Sequence, residues 1–173
     1  MQVGAELPQV QQTPPLRRRL ACFLYEGVLL FGVVFFCALV YSVLTDQRNA
    51  MVGRQGLLLT AFVLAPGVYF TWYWTRTGQT LPMQTWHIHL QTADGQRLTR
   101  ARAVLRYLAA WVWFLPALAL AWFAGWHDSG ARLAAVLGAG VVFYALSSML
   151  HPQRQFWHDA LCGTRLVDTR SDA

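Results

Sequence analysis

The sequence contains no lysine: all fourteen basic residues are arginine, against only eight Asp and Glu. We read the missing lysine as a bias of the genome, since nothing else in the chain asks for guanidinium throughout. Charged residues make up 13% of the chain, too few to cover the surface of a soluble domain of 173 residues. Eight acids leave no paired carboxylates of the kind hydrolases need, and no GxSxG, phosphate-loop, HExxH or GxGxxG pattern stands in a suitable context. The expectation is a protein that is not an enzyme and holds no cofactor. Three cysteines without CxxC spacing (Cys22, Cys37 and Cys162) exclude a disulfide framework and a zinc site. The net charge is +6. No basic run lies on a soluble module able to track phosphates, so no nucleic-acid partner is expected.

What is abundant is hydrocarbon. Hydrophobic residues reach 55% and collect into four runs, with nearly all charges between them. The length suits one domain. The runs predict transmembrane helices at about 20–44, 57–74, 103–124 and 133–150, following a polar N-terminal tail over 1–16 that is expected to be loosely held. The first run would be ~37 Å long as a helix, enough to span with tilt, too long for a signal-peptide core and without a small-x-small cleavage site. Pro66-Gly67 predicts a kink in the second helix. Ala134/Gly138 and Ala135/Ala139, each four apart, mark a surface on the fourth where another helix can approach closely.

Arginine placement sets the expected orientation. Arg17, Arg18, Arg19, Arg76, Arg97, Arg100, Arg102, Arg154, Arg165 and Arg170 fall in the first, third and fifth polar segments, against Arg48, Arg54 and Arg132 in the two between. Both termini, the loop over 75–102 and the tail over 151–173 should therefore face the cytoplasm. Tyr69, Trp72, Tyr73 and Trp74 at one side, and Trp122 and Trp126 at the other, fit as interfacial anchors.

The 75–102 loop carries the one soluble pattern. TWHIHLQT alternates and meets Asp94-Gly95, which predicts a type I′ hairpin returning through QRLT. The tail segment TRLVDT is a candidate third strand.

Glu26 is the one acid within the four runs, seven positions after Arg19 and so ~10 Å deeper along the helix. An ionisable group at that depth faces the bundle interior or a water-filled cavity. Arg106 enters from the same side at similar depth, so a Glu26–Arg106 pair is expected, serving as a static ion pair or as part of a relay. In the tail, Phe156-Trp157 should anchor the chain at the interface and bring His158-Asp159 toward Arg19 or Arg106. A histidine beside an acid titrates near neutrality and is suited to gating or proton relay. His87 and His89, placed on one strand face with His151 nearby, lack a convincing further metal ligand.

These motifs, in this order, resemble the RDD family of bacterial membrane proteins, named for one Arg and two Asp. The resemblance rests on Arg19 and Glu26 in RRLACFLYEGVLL, on the turn and strand in GQTLPMQTWHIHLQTADGQRLT, on Arg106, and on His158, Asp159, Gly163, Thr164, Arg165 and Val167 in WHDALCGTRLV. It covers most residues from about 18 to 168. Two departures stand out: Glu26 replaces the family's first Asp, and Leu81-Pro82-Met83 replaces the small-and-basic pair of the loop motif. The resemblance implies an all-α membrane fold, a four-transmembrane-helix bundle with a small cytoplasmic β-hairpin and an interfacial C-terminal segment, in a bacterial inner membrane. It implies transport of ions or small solutes, with Arg19, Glu26, Arg106, His158 and Asp159 as the charge network. The alternative is an accessory or assembly subunit whose buried charges only fix packing. Expected partners are the lipid bilayer and either further copies of the chain or a membrane-complex partner.

Overall fold

The computed structural model describes residues 12–44 and 54–170. The expectations for residues 1–11 and for Arg48 lie outside them. Among the described residues four helices are long and apolar enough to cross a membrane: α1 (Leu16–Leu44), α2 (Gln55–Arg76), α4 (Arg100–Phe123) and α5 (Gly130–Leu150). A short helix α3 (Leu81–Thr85) and strand β1 (Ile88–Thr92) lie between α2 and α4, and a short helix α6 (Trp157–Leu161) and strand β2 (Thr164–Asp168) follow α5.

Local chemistry sets most helix ends. Pro14-Pro15 precede α1, and the Pro15 carbonyl accepts the Arg18 amide at 3.0 Å, so Arg17–Arg19 lie inside the first turns of the helix and not ahead of it. Residues 12–16 are not loose. Pro14 is fully buried, and the Asp168 amide donates to the Gln12 carbonyl at 2.9 Å. Thr99 and Ser129 cap α4 and α5, accepting the Arg102 and Arg132 amides. Gly125, at φ 68°, turns the chain after α4.

Two spans are internally broken, and both breaks aim side chains inward. Ahead of Pro66, residues Leu59–Leu64 form a π-helical turn. Proline lacks the amide that would continue the ladder and its ring crowds the preceding turn, so the expected kink is absorbed as a widened turn. The Tyr107 hydroxyl donates to the Val63 carbonyl at 2.8 Å within it. A Cβ on Gly67 would stand 3.0 Å from the Tyr107 ring, so glycine there allows the close approach. In α4 a 3-10 turn at Trp111–Trp113 precedes Pro116 and swings Trp113 into the core, 4.8 Å from Phe23 in a stacked pair.

The buried core gathers at one end of the bundle, hereafter the sheet end, around Cys22, Trp74, Leu90, Ala103, Trp113 and Phe156. Elsewhere the helices turn large apolar side chains outward, with Leu44 80% and Phe123 87% exposed. Such faces suit hydrocarbon surroundings. Trp74 departs from the expected interfacial girdle. It is 4% exposed and stacks on Phe70 at 4.8 Å, whereas Trp72 on the same helix does face outward.

The sheet has two strands, β1 and β2, antiparallel, with Ile88 opposite Asp168 and Leu90 opposite Leu166. The strand expected as an accessory third is thus the one strand paired with β1 among the described residues. The Asp94-Gly95 turn forms, but as a different type: the Gly95 amide donates to the Thr92 carbonyl at 2.9 Å, and Gly95 alone of the pair has positive φ, 78°. That is a type I turn closed by a left-handed glycine. The return arm makes one ladder bond, Thr92 amide to Gln96 carbonyl, and then leaves. Leu98 must reach the core and Thr99 must cap α4, so QRLT is committed to the helix entry and leaves the edge of β1 to the tail.

The small-residue contact on α5 also sits elsewhere than expected. Ala134, Ala135, Gly138 and Ala139 are exposed, and nothing comes within 4 Å of a Cβ on Gly138. Gly140 makes the close approach: its Cβ would lie 2.7 Å from that of Ala117 on α4. A four-residue spacing in an alanine-rich helix recurs on several faces, and the sequence alone does not choose among them.

Candidate functional site

Between α1, α2 and α4 lies a cavity of about 740 Å³, open to one side. Its α1 wall is a single stripe at helical spacing that includes Arg19, Glu26, Leu30, Val34 and Ala38. The charged side chains on its lining, Arg19, Glu26 and Arg106, lie with His158 toward the sheet end, and the rest is almost wholly apolar.

Glu26 is buried two helical turns in from Arg19. Its Oε2 accepts a hydrogen bond from the Thr80 hydroxyl at 2.6 Å, and its Oε1 is buried with no hydrogen-bond partner. Thr80 is positioned by its own cap. It begins α3, its Oγ1 accepts the Met83 amide, and Pro82 starts the short helix. The hydroxyl proton is left to reach across to α1. The Tyr69 hydroxyl is buried beside the same carboxylate, a second hydroxyl within its reach.

Arg106 does not form the expected ion pair with Glu26. Its Nε donates to Asp159 Oδ1 at 2.7 Å, and its guanidinium lies 4.2 Å over the Trp74 ring. The expectation used depth along two helices and omitted the tail. The β1–β2 pairing draws α6 over the end of α4, and a carboxylate that is wholly buried there meets Arg106 first. Asp159 Oδ2 remains buried and unpartnered. Arg19 is also buried, its guanidinium 4.4 Å over the Phe156 ring, while its Nε and Nη1 have no hydrogen-bond partner. Phe156 is therefore a core residue and not an interfacial anchor. Trp157, 42% exposed, remains outside.

His158 lies in an aromatic box, its ring stacked on Phe156 and Tyr144 and edge-on to Trp113. The Tyr144 oxygen accepts the His158 amide at 3.0 Å and lies 2.9 Å from Nδ1. Its own proton is then free to go to Nδ1, which assigns the remaining ring proton to Nε2, 3.4 Å from Asp159 Oδ1. Burial pushes the imidazole down to about 4, with Asp159 opposing and Arg106 adding to the fall. His158 is thus neutral near pH 7, which removes it as the near-neutral titrating group the sequence suggested.

The charges at the floor balance: Arg19 and Arg106 against Glu26 and Asp159. Arg106 Nε and Asp159 Oδ1 satisfy each other, whereas Arg19, Glu26 and Asp159 Oδ2 each keep buried polar atoms without a hydrogen-bond partner. His87 sits just before β1 in the left-handed region at φ 54°, so it does not share a strand face with His89, and His151 packs edge-on to Trp157. No group of three His, Cys, Asp or Glu able to hold a metal gathers among the described residues.

Sequence reasoning missed Arg18, Asp168, Thr80 and Gln155. Arg18 is ion-paired to Asp168 at the end of β2 and donates to the Trp86 and His87 carbonyls, so one side chain binds the start of α1 to both strands. Burial works against the Asp168 carboxylate, but the Arg18 hydrogen bonds outweigh it and hold the group below its ordinary range. Gln155 imitates a strand: its Nε2 donates to the Leu166 carbonyl and its Oε1 accepts the Leu166 amide, at 2.9 and 3.0 Å. The one available signal was the TxP cap pattern at Thr80-Leu81-Pro82.

A model of the RDD family matches residues 13–163, most of the chain and all five residues of the expected network, and the chain belongs to that family. No curated protein and no solved structure matches it.

Proposed function

We propose that this RDD-family chain is a carrier of a bacterial inner membrane, with both termini in the cytoplasm, that couples movement of a small solute or ion to proton binding at Glu26. The observation behind this reading is the Glu26 carboxylate: buried on the lining of a 740 Å³ cavity, held at one oxygen by Thr80 and without a hydrogen-bond partner at the other. An intramembrane acid is costly unless it pairs or titrates, and Glu26 has no cation in ion-pair contact among the described residues. The ten-to-three division of arginines supports placing the sheet end in the cytoplasm. Four helices are few for a carrier, and the open side of the cavity suits closure by a further copy of the chain.

A second reading, an accessory or assembly subunit, draws on the Arg18–Asp168 and Arg106–Asp159 pairs, which fix the tail to the helices and need no cargo. Purified protein in liposomes under an imposed pH gradient separates the two. Proton flux abolished by Glu26→Gln supports the carrier, and a tight vesicle with no flux supports the subunit. Reporter fusions at each end test the orientation; a periplasmic signal from either would overturn it.

A further inference from the structure

The carrier reading leaves the cargo unnamed, and the shape of the cavity narrows it. The α1 stripe from Arg19 to Ala38 is ~28 Å long at helical rise. The trench, of about 740 Å³, is long enough and large enough to take one extended hydrocarbon chain. A volume of this size is also ordinary for a small-molecule site.

The head end is built for an anion. Arg19 is 4% exposed and lines the trench, and its Nε and Nη1 are unpartnered. Arg106 is held by Asp159 at 2.7 Å, whereas Arg19 feels that carboxylate only at longer range and has no ion-pair contact among the described residues. A buried guanidinium without an ion-pair partner at one end of an apolar trench is complementary to an anionic group on a hydrocarbon tail.

We propose that the cavity binds a single-chain anionic amphiphile, of which a long-chain carboxylate is the simplest, with its head at Arg19 and its tail along α1. That this ligand is also moved rests on the carrier reading; that it binds does not.

The test uses the full chain in phosphatidylcholine nanodiscs, titrated with isotopically labelled palmitate. Saturable binding of one palmitate per chain is expected. Arg19→Gln should weaken it at least ten-fold. Gly27→Leu should do likewise by filling the trench: a Cβ at Gly27 meets nothing within 4 Å, and leucine favours the helix, so the fold tolerates the change. Hexadecanol, which lacks the charge, should bind weakly, lose affinity in Gly27→Leu and be indifferent to Arg19→Gln. Non-saturable binding, unchanged affinity in either variant, or equal binding of hexadecylammonium would overturn the proposal. So would equal competition by a two-chain phosphatidic acid. Palmitate binding without proton flux sinks the carrier and keeps the ligand; flux without palmitate binding does the reverse.

Discussion

Exchanging Arg106 for glutamine, or Asp159 for asparagine, removes half of an ion pair whose side chains are 8% and 0% exposed. At an effective dielectric of 20 and a charge separation of about 4 Å, the mutual attraction is about 4 kcal/mol. The larger consequence is what remains. Asp159→Asn leaves Arg106 and Arg19 without the carboxylate that both feel, and Arg106→Gln leaves a wholly buried carboxylate with His158, Thr164 and, at longer range, Arg19. Breaking such a pair from one side costs about 3–5 kcal/mol. For a chain of this size that is about 10 °C in apparent Tm. The double variant removes both charges together, so its loss should fall short of the sum of the singles by at least about 1.5 kcal/mol. Thermal unfolding in mild detergent, followed by tryptophan fluorescence and by loss of monodisperse protein, measures all four corners of the cycle. Glu26→Gln serves as the control corner, because Glu26 should couple to Arg106 far less than Asp159 does. Additive singles, or stronger coupling of Arg106 to Glu26 than to Asp159, would refute the assignment of partners.

Three further outcomes are expected. The His158 pKa in the folded chain, about 4, lies below the ordinary 6.5, so the unfolded chain binds more protons between those values. Stability should therefore fall as pH drops from about 6.5 to about 4, by about 3 kcal/mol from this group, and level off below; pH-dependent melting of wild type against His158→Phe reads the difference. Gly140→Leu should cost about 1–3 kcal/mol against the Ala117 backbone and side chain, while Gly138→Leu, with open space around it, should leave the melting temperature unchanged. Arg18→Gln should speed tryptic cleavage of the tail at least as much as Asp168→Asn, because it also loses the bonds to the Trp86 and His87 carbonyls, and adding Asp168→Asn to it should change little further.

The spans were legible because length and hydropathy are one-dimensional properties: predicted and observed helix ends coincide at Leu44 and Leu150 and differ by at most four residues elsewhere. The tail was legible in part, since Phe156 and Trp157 marked a segment that folds back. What failed were choices among faces and partners. Depth along α1 and α4 gave Glu26 and Arg106 one shared coordinate and no angle, and Asp159 entered from an element whose position depends on β1–β2 pairing. The edge of β1 went to the tail because Gln96–Thr99 had a competing duty at the start of α4. Trp74 looked like its neighbours Trp72 and Tyr73 by composition, and only the helical phase turned it beneath Arg106. His158 was read from its acidic neighbour, while the aromatic box that keeps it neutral came from residues 113 and 144, remote in sequence.

The central claim is that Glu26 carries the proton that drives transport. Its most direct measurement is proton movement in sealed proteoliposomes loaded with a pH-sensitive dye, comparing wild type with Glu26→Gln and Glu26→Asp at matched incorporation. Wild type should dissipate an imposed gradient, Glu26→Gln should not, and Glu26→Asp should retain part of the flux. Equal proton movement in wild type and Glu26→Gln, or none above empty vesicles in wild type, would contradict it.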